Sequence, residues 1–123
     1  MLSVGTVVIG VADLRRAVGF WTEALRYTPK REIDVNDDFA ILVPMAGHGA
    51  HLALDVSETP VQEYPRVHLD LYADDAEDQA LEVERLISLG ATRVDWDRYP
   101  DDPDFVVLAD PEGNRFCVID TTS

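Results

Sequence analysis

Phe105-Val106-Val107-Leu108-Ala109-Asp110-Pro111-Glu112-Gly113-Asn114-Arg115-Phe116-Cys117-Val118-Ile119-Asp120 is the stretch on which the fold turns. It reads as a strand, a tight turn and a second strand. Pro111 presets φ for the turn, Gly113 tolerates positive φ, and Asp110 and Asn114 can hydrogen-bond their own backbone. The flanks are β-branched and aromatic, as strands prefer.

Working outward, the second half of the chain supplies a partner strand and a helix for this hairpin. Arg66 to Ala73 reads as a strand. Asp74 or Asp75 caps a helix that carries Ala76, Ala80, Val83, Leu86, Ile87 and Leu89 and stops at Gly90. Thr92 to Asp95, Asp104 to Ala109 and Arg115 to Asp120 are the remaining strands. The first half has the same order. A β-branched run from Ser3 to Val11 precedes an N-cap at Asp13, and Leu14, Val18, Trp21 and Leu25 follow at helical spacing. Pro29 ends any helix before it. Strands are then expected at Lys30 to Asp34, Phe39 to Pro44 and Ala50 to Val56. A shift of 62 places Thr6 on His68 and Asp13 on Asp75; a shift of 66 places Phe39 on Phe105 and His51 on Cys117. Module one is therefore about 1–57, the linker 58–65 and module two about 66–123, within a single domain.

This pattern, and the closing hairpin above all, resembles the glyoxalase/bleomycin-resistance/dioxygenase group, the vicinal oxygen chelate superfamily. The resemblance implies an α+β fold in which two βαβββ modules form a cupped eight-stranded mixed sheet, with helices on the outside and a ligand site inside. It also implies a homodimer.

Composition narrows the function. The chain has 123 residues, 46% hydrophobic and 28% charged, which suits one soluble globular domain. No apolar run approaches the roughly 20 residues of a membrane helix. Met1-Leu2-Ser3-Val4 lacks a basic leader region, so no signal peptide is expected. The single cysteine rules out an internal disulfide and fits a reducing cytoplasm. A net charge of −14 argues against nucleic acid. It also disfavours strongly anionic ligands unless an arginine lies in the site.

Strand parity sorts the side chains. His68, Asp70 and Tyr72 share one face, and Leu69 and Leu71 the other. Cys117 and Ile119 lie opposite Phe116 and Val118; His51, Ala53 and Asp55 alternate with Leu52 and Leu54; Thr6, Val8 and Gly10 alternate with Val7, Ile9 and Val11. The polar members converge on one surface.

Metal-dependent members of the group that this chain resembles use four ligand positions, one on each of these strands. Carried over residue by residue, they fall on Thr6, His51, His68 and Cys117. The usual His or Gln of the first strand and both usual glutamates are missing, so His68 alone matches in type. A set of His51, His68 and Cys117 would suit Zn²⁺ better than an oxygen-rich octahedral ion. The competing reading is a buried cysteine packed as a small hydrophobe and no metal. No cofactor is expected, with a divalent metal (Zn, Ni, Fe or Mn) as the alternative.

His68 with Asp70 could act as an acid/base unit, although side chains two apart on a strand lie about 7 Å apart. Trp96 and Tyr99, in or beside the acidic loop 97–104, are expected as aromatic walls, and Thr6, Asp70 and Tyr72 as further ligand contacts. Trp21 is expected in the core, and Asp110 and Asn114 serve the turn. The expected function is metal-independent binding of a small organic molecule. The alternative is a glyoxalase-like lyase or isomerase using a divalent metal or His68.

Overall fold

The computed structural model describes residues 1–123. The chain forms two compact units, Met1–Pro60 and Val61–Ser123. Each has the order βαβββ and one four-stranded mixed sheet.

The first unit runs β1 (Thr6–Val11), α1 (Leu14–Leu25), β2 (Tyr27–Pro29), β3 (Phe39–Pro44) and β4 (His51–Val56), with sheet order β1-β4-β3-β2. The parallel β1–β4 pairing sets Thr6 opposite His51. Asp13 caps α1 by accepting the Arg16 N–H at 3.2 Å. The helix buries Leu14, Ala17, Phe20, Trp21 and Ala24, spaced to fall on one face. That face packs on β2, β3 and β4, where Ala40, Leu42, Leu52 and Leu54 are buried.

Strand β1 starts at Thr6 where Ser3 was expected and β4 at His51 where Ala50 was expected, and two larger differences follow. Helix α1 ends before Pro29 comes into play. Arg26 adopts the left-handed conformation at φ 56°, and its N–H bonds the Thr22 carbonyl. A residue with a Cβ takes that conformation at a cost of about 1 kcal/mol. The turn brings Tyr27 to Pro29 straight onto β3, so β2 replaces the strand expected at Lys30 to Asp34. That segment is a loop instead, tied by Asp37, whose carboxylate accepts the Asp34 N–H at 2.7 Å and Arg31 Nη1 at 3.3 Å. These bonds, led by the backbone one, hold the Asp37 pKa below the usual carboxylate value.

The second unit runs β5 (Asp70–Ala73), α2 (Ala76–Leu89), β6 (Thr92–Arg93), β7 (Phe105–Ala109) and β8 (Arg115–Asp120), ordered β5-β8-β7-β6. Asp75 caps α2, and Gly90, at φ 123°, closes it with its N–H on the Ile87 and Leu86 carbonyls. Val83 and Leu86 are the helix's buried contacts. Gln79 adds a polar tie: its Nε2 donates to the Val118 carbonyl at 2.9 Å and the Asp104 carbonyl at 3.0 Å.

The β7–β8 hairpin is the one expected. Asp110 is 3% exposed, and its carboxylate accepts the N–H groups of Glu112 at 2.9 Å and Asn114 at 2.8 Å. Gly113 takes φ 89° there. The hairpin sets Cys117 between Val107 on β7 and Asp70 on β5. The strand expected at Arg66 to Ala73 is shorter than the sequence indicated. Its last ladder bond is Cys117 N–H to the Leu69 carbonyl at 2.9 Å. Before Asp70 the chain leaves the β8 ladder although β8 itself continues to Arg115, so residues 66–69 lie outside the strand. Strand β6 is likewise shorter than Thr92 to Asp95.

Candidate functional site

The open face of the second unit's sheet carries a cleft of about 610 Å³. Its floor comes from alternate residues of neighbouring strands: Phe105 and Val107 of β7, and Cys117 and Ile119 of β8. At one side stand His68, Asp70 and Tyr72. At the other lies an aromatic wall from two loops, Tyr64 and Trp96, with ring centroids 5.3 Å apart.

His68 and Asp70 are in direct contact, Nε2 to Oδ1 at 3.1 Å. The 7 Å spacing of a regular strand does not apply, because His68 precedes β5 and its backbone is free of the pleat. Both side chains are over 40% exposed. The pair therefore adds little stability. With Nε2 donating to Asp70, a neutral imidazole carries its lone pair on Nδ1.

The thiol of Cys117 completes a trio whose donor atoms all lie within 4.8 Å of one another. Cys117 is 9% exposed. Burial, and secondarily the Asp70 carboxylate, push its pKa up to about 11. At pH 8 the thiolate population is about a hundredfold below that of an unshifted thiol. Alkylation by iodoacetamide should be correspondingly slow in the native protein and fast in urea, which a mass-spectrometric time course reads. The folded pKa lies above the unfolded value of 9.0. The protonated thiol's contribution to stability is therefore complete below pH 9 and lost as pH rises from 9 through 11.

These donors do not fit the carboxylate-rich metal site implied by the resemblance. One imidazole is already held by a carboxylate, and a cation would have to draw the thiol proton against burial. The other two ligand positions, Thr6 and His51, lie in the first unit, paired across β1 and β4, and neither lines the cleft.

The remaining expected residues divide. Tyr72 is 78% exposed at the cleft's edge, and Trp96 is half-buried in its wall. Tyr99 stacks on Phe105 at 5.2 Å, and its hydroxyl accepts the Val107 N–H at 2.8 Å. It braces the strand under the cleft and does not line it.

Among the cleft residues that escaped sequence reasoning are Tyr64, Arg66, Arg98 and Arg115. Tyr64 donates to Asp97 at 2.8 Å, which raises its pKa, and Arg98 lies over its ring at 3.9 Å. Arg115 lies 6.0 Å from the Trp96 ring and donates from Nη1 to the Glu63 carbonyl at 2.6 Å. Parity was the available signal for Arg115, which sits two residues before Cys117 on the same face.

Comparison with known proteins agrees with this architecture. The sequence model of a family described as a glyoxalase-like domain matches residues 6–119. No curated protein sequence matches the chain. Among solved structures, a protein of Agrobacterium tumefaciens aligns with TM-score 0.74 at 16% identity, covering 98% of both chains. A glyoxalase-related enzyme from Fulvimarina pelagi aligns at 0.71 and 18% identity, covering 97% of this chain and 88% of that one. A glyoxalase/bleomycin resistance protein/dioxygenase family enzyme from Burkholderia phytofirmans aligns at 0.70 and 16% identity, covering 95% and 97%. At these identities the likeness concerns the fold.

Proposed function

We propose that this chain, which belongs to the glyoxalase-like domain family, binds a small organic molecule in the second unit's cleft without a metal. The observation that carries this reading is the composition of the cleft. It has an apolar floor, an aromatic wall and a few converging polar groups, as small-molecule sites do. Its donor trio lacks the glutamates that a family metal would use. Homodimerisation and a cytoplasmic location belong to the same proposal. Sedimentation velocity tests the former against the 13.7 kDa chain mass.

The test is thermal unfolding of the whole protein in EDTA against a panel of small aromatic and charged compounds. A ligand at a hundred times its Kd stabilises by about 2.7 kcal/mol. The expected hit raises Tm equally with and without added Zn²⁺, and the rise is lost in Trp96→Ala. A rise that appears only with metal contradicts the reading.

The 3.1 Å contact between His68 and Asp70 favours a second reading, a lyase or isomerase in which Nδ1 of His68 takes a proton from the bound molecule while Asp70 orients the ring. A positioned base contributes about 10²–10⁴-fold to rate. Deuterium exchange into a bound ligand, followed by NMR, should fall by that factor in His68→Gln. An unchanged exchange rate would remove this reading and leave binding intact.

A further inference from the structure

Arg66, Arg98 and Arg115 all border one cleft, in a chain with only 10 basic residues against 24 acidic ones. Three of the six arginines elsewhere are matched to carboxylates: Arg31 with Asp37, Arg85 with Glu82, Arg93 with Glu84. No ion pair engages the three at the cleft. Two of them sit on the aromatic wall, giving the sequence Arg98, Tyr64, Trp96, Arg115 at successive separations of 3.9, 5.3 and 6.0 Å. Arg115 spends Nη1 on the Glu63 carbonyl, which leaves its other N–H groups for a planar anion, and charge-assisted bonds from Arg to carboxylate are strong.

We propose that the ligand of this cleft is an aromatic carboxylic acid, its ring against Trp96 and its carboxylate held by Arg115, with Arg98 and Arg66 adding positive charge around the cleft. This names the ligand class for the binding function proposed above and rests on it. The cleft also holds the Asp70 and Asp104 carboxylates. They disfavour a second negative charge on the ligand's far side, so the fit is to a monoanion with one acidic end. Asp70 is already engaged by His68, which lessens its repulsion. The global charge of −14 acts through solvent and is screened beyond about 8–10 Å. The cleft arginines act at contact distance.

The experiment titrates the full-length protein with three isosteric probes: 2-naphthoate, 2-naphthamide and 2-naphthylmethylammonium. Trp96 emission reports binding, and Trp21, 1% exposed, gives a constant background. The acid is expected to bind at least about tenfold tighter than the amide at low salt, with the ammonium weakest, and the gap should shrink in 0.5 M salt. Arg115→Gln should weaken the acid about tenfold while leaving the amide within about threefold, and Arg98→Gln should weaken the acid less, a pattern that general damage to the fold would not produce. Equal or tighter binding of the amide or the ammonium overturns the carboxylate assignment and leaves the cleft a binding site. Failure of all three probes to alter emission or Tm overturns the assignment together with the cleft reading beneath it.

Discussion

Trp21→Ala is expected to lower the unfolding free energy by about 3–5 kcal/mol, the range for removing a fully buried large aromatic. Trp21 is 1% exposed, the largest side chain sealed in the first unit, and meets Phe20 edge to face at 5.0 Å and 87°. Three contributions are lost together: the transfer free energy of the ring, the edge-to-face contact and the packing of whatever walls fail to collapse into the hole. Domains of this size hold only about 5–15 kcal/mol in reserve, so the variant should melt far below wild type. Trp21→Phe, which leaves a smaller cavity, should lose less. Chemical denaturation followed by circular dichroism gives both values. A loss under 1 kcal/mol for the alanine variant would mean that α1 does not hold the first unit's core.

The second large effect is expected at Asp110. This buried carboxylate accepts two backbone N–H groups of its own turn. Asp110→Ala leaves both donors without an acceptor, at about 1–3 kcal/mol for each buried group. The expected total is about 2–4 kcal/mol, since the turn is partly buried and water can reach one donor. Asp110→Asn keeps a carbonyl acceptor and should recover at least half. The consequence reaches the cleft, because this turn fixes the register that sets Cys117 opposite Val107 and beside Asp70. A slackened turn should therefore also expose Cys117 to alkylation. If Asp110→Ala and Asp110→Asn were equally stable, the hydrogen bonds of the turn would not be what holds the hairpin.

Much of this was legible in the residues themselves. The Asp-Pro-Glu-Gly-Asn turn between β-branched runs has one good backbone solution, and Asp13, Asp75 and Gly90 mark helix ends through local hydrogen-bonding preferences that act over a few residues. Strand parity put His68, Asp70, Tyr72 and Cys117 on one face, and they line one cleft. What the sequence did not reveal depends on longer-range geometry. Arg26 in the left-handed region has no glycine or asparagine to announce it, so the early start of β2 could not be read. His68 reaches Asp70 because the ladder with β8 stops at Leu69, a boundary set by the approach of the chain to the sheet and not by local residue preferences. The arginines were hidden by a sum. A net charge of −14 describes the whole surface, whereas Arg66, Arg98 and Arg115 act where loops and a strand end bring them together. Tyr64, placed in a Pro- and Glu-rich linker, gave no periodic signal, yet it forms half the aromatic wall.

In the proposed function the cleft binds its ligand without the family's metal. The most direct test is metal content per chain, measured on untagged protein as purified and again after incubation with Zn²⁺, Ni²⁺, Fe²⁺ and Mn²⁺, for wild type and His68→Ala. The prediction is well under one equivalent in every case, with no difference between the two proteins. About one equivalent of a transition metal in wild type, lost in His68→Ala, would place His68 in a ligand shell and contradict the account.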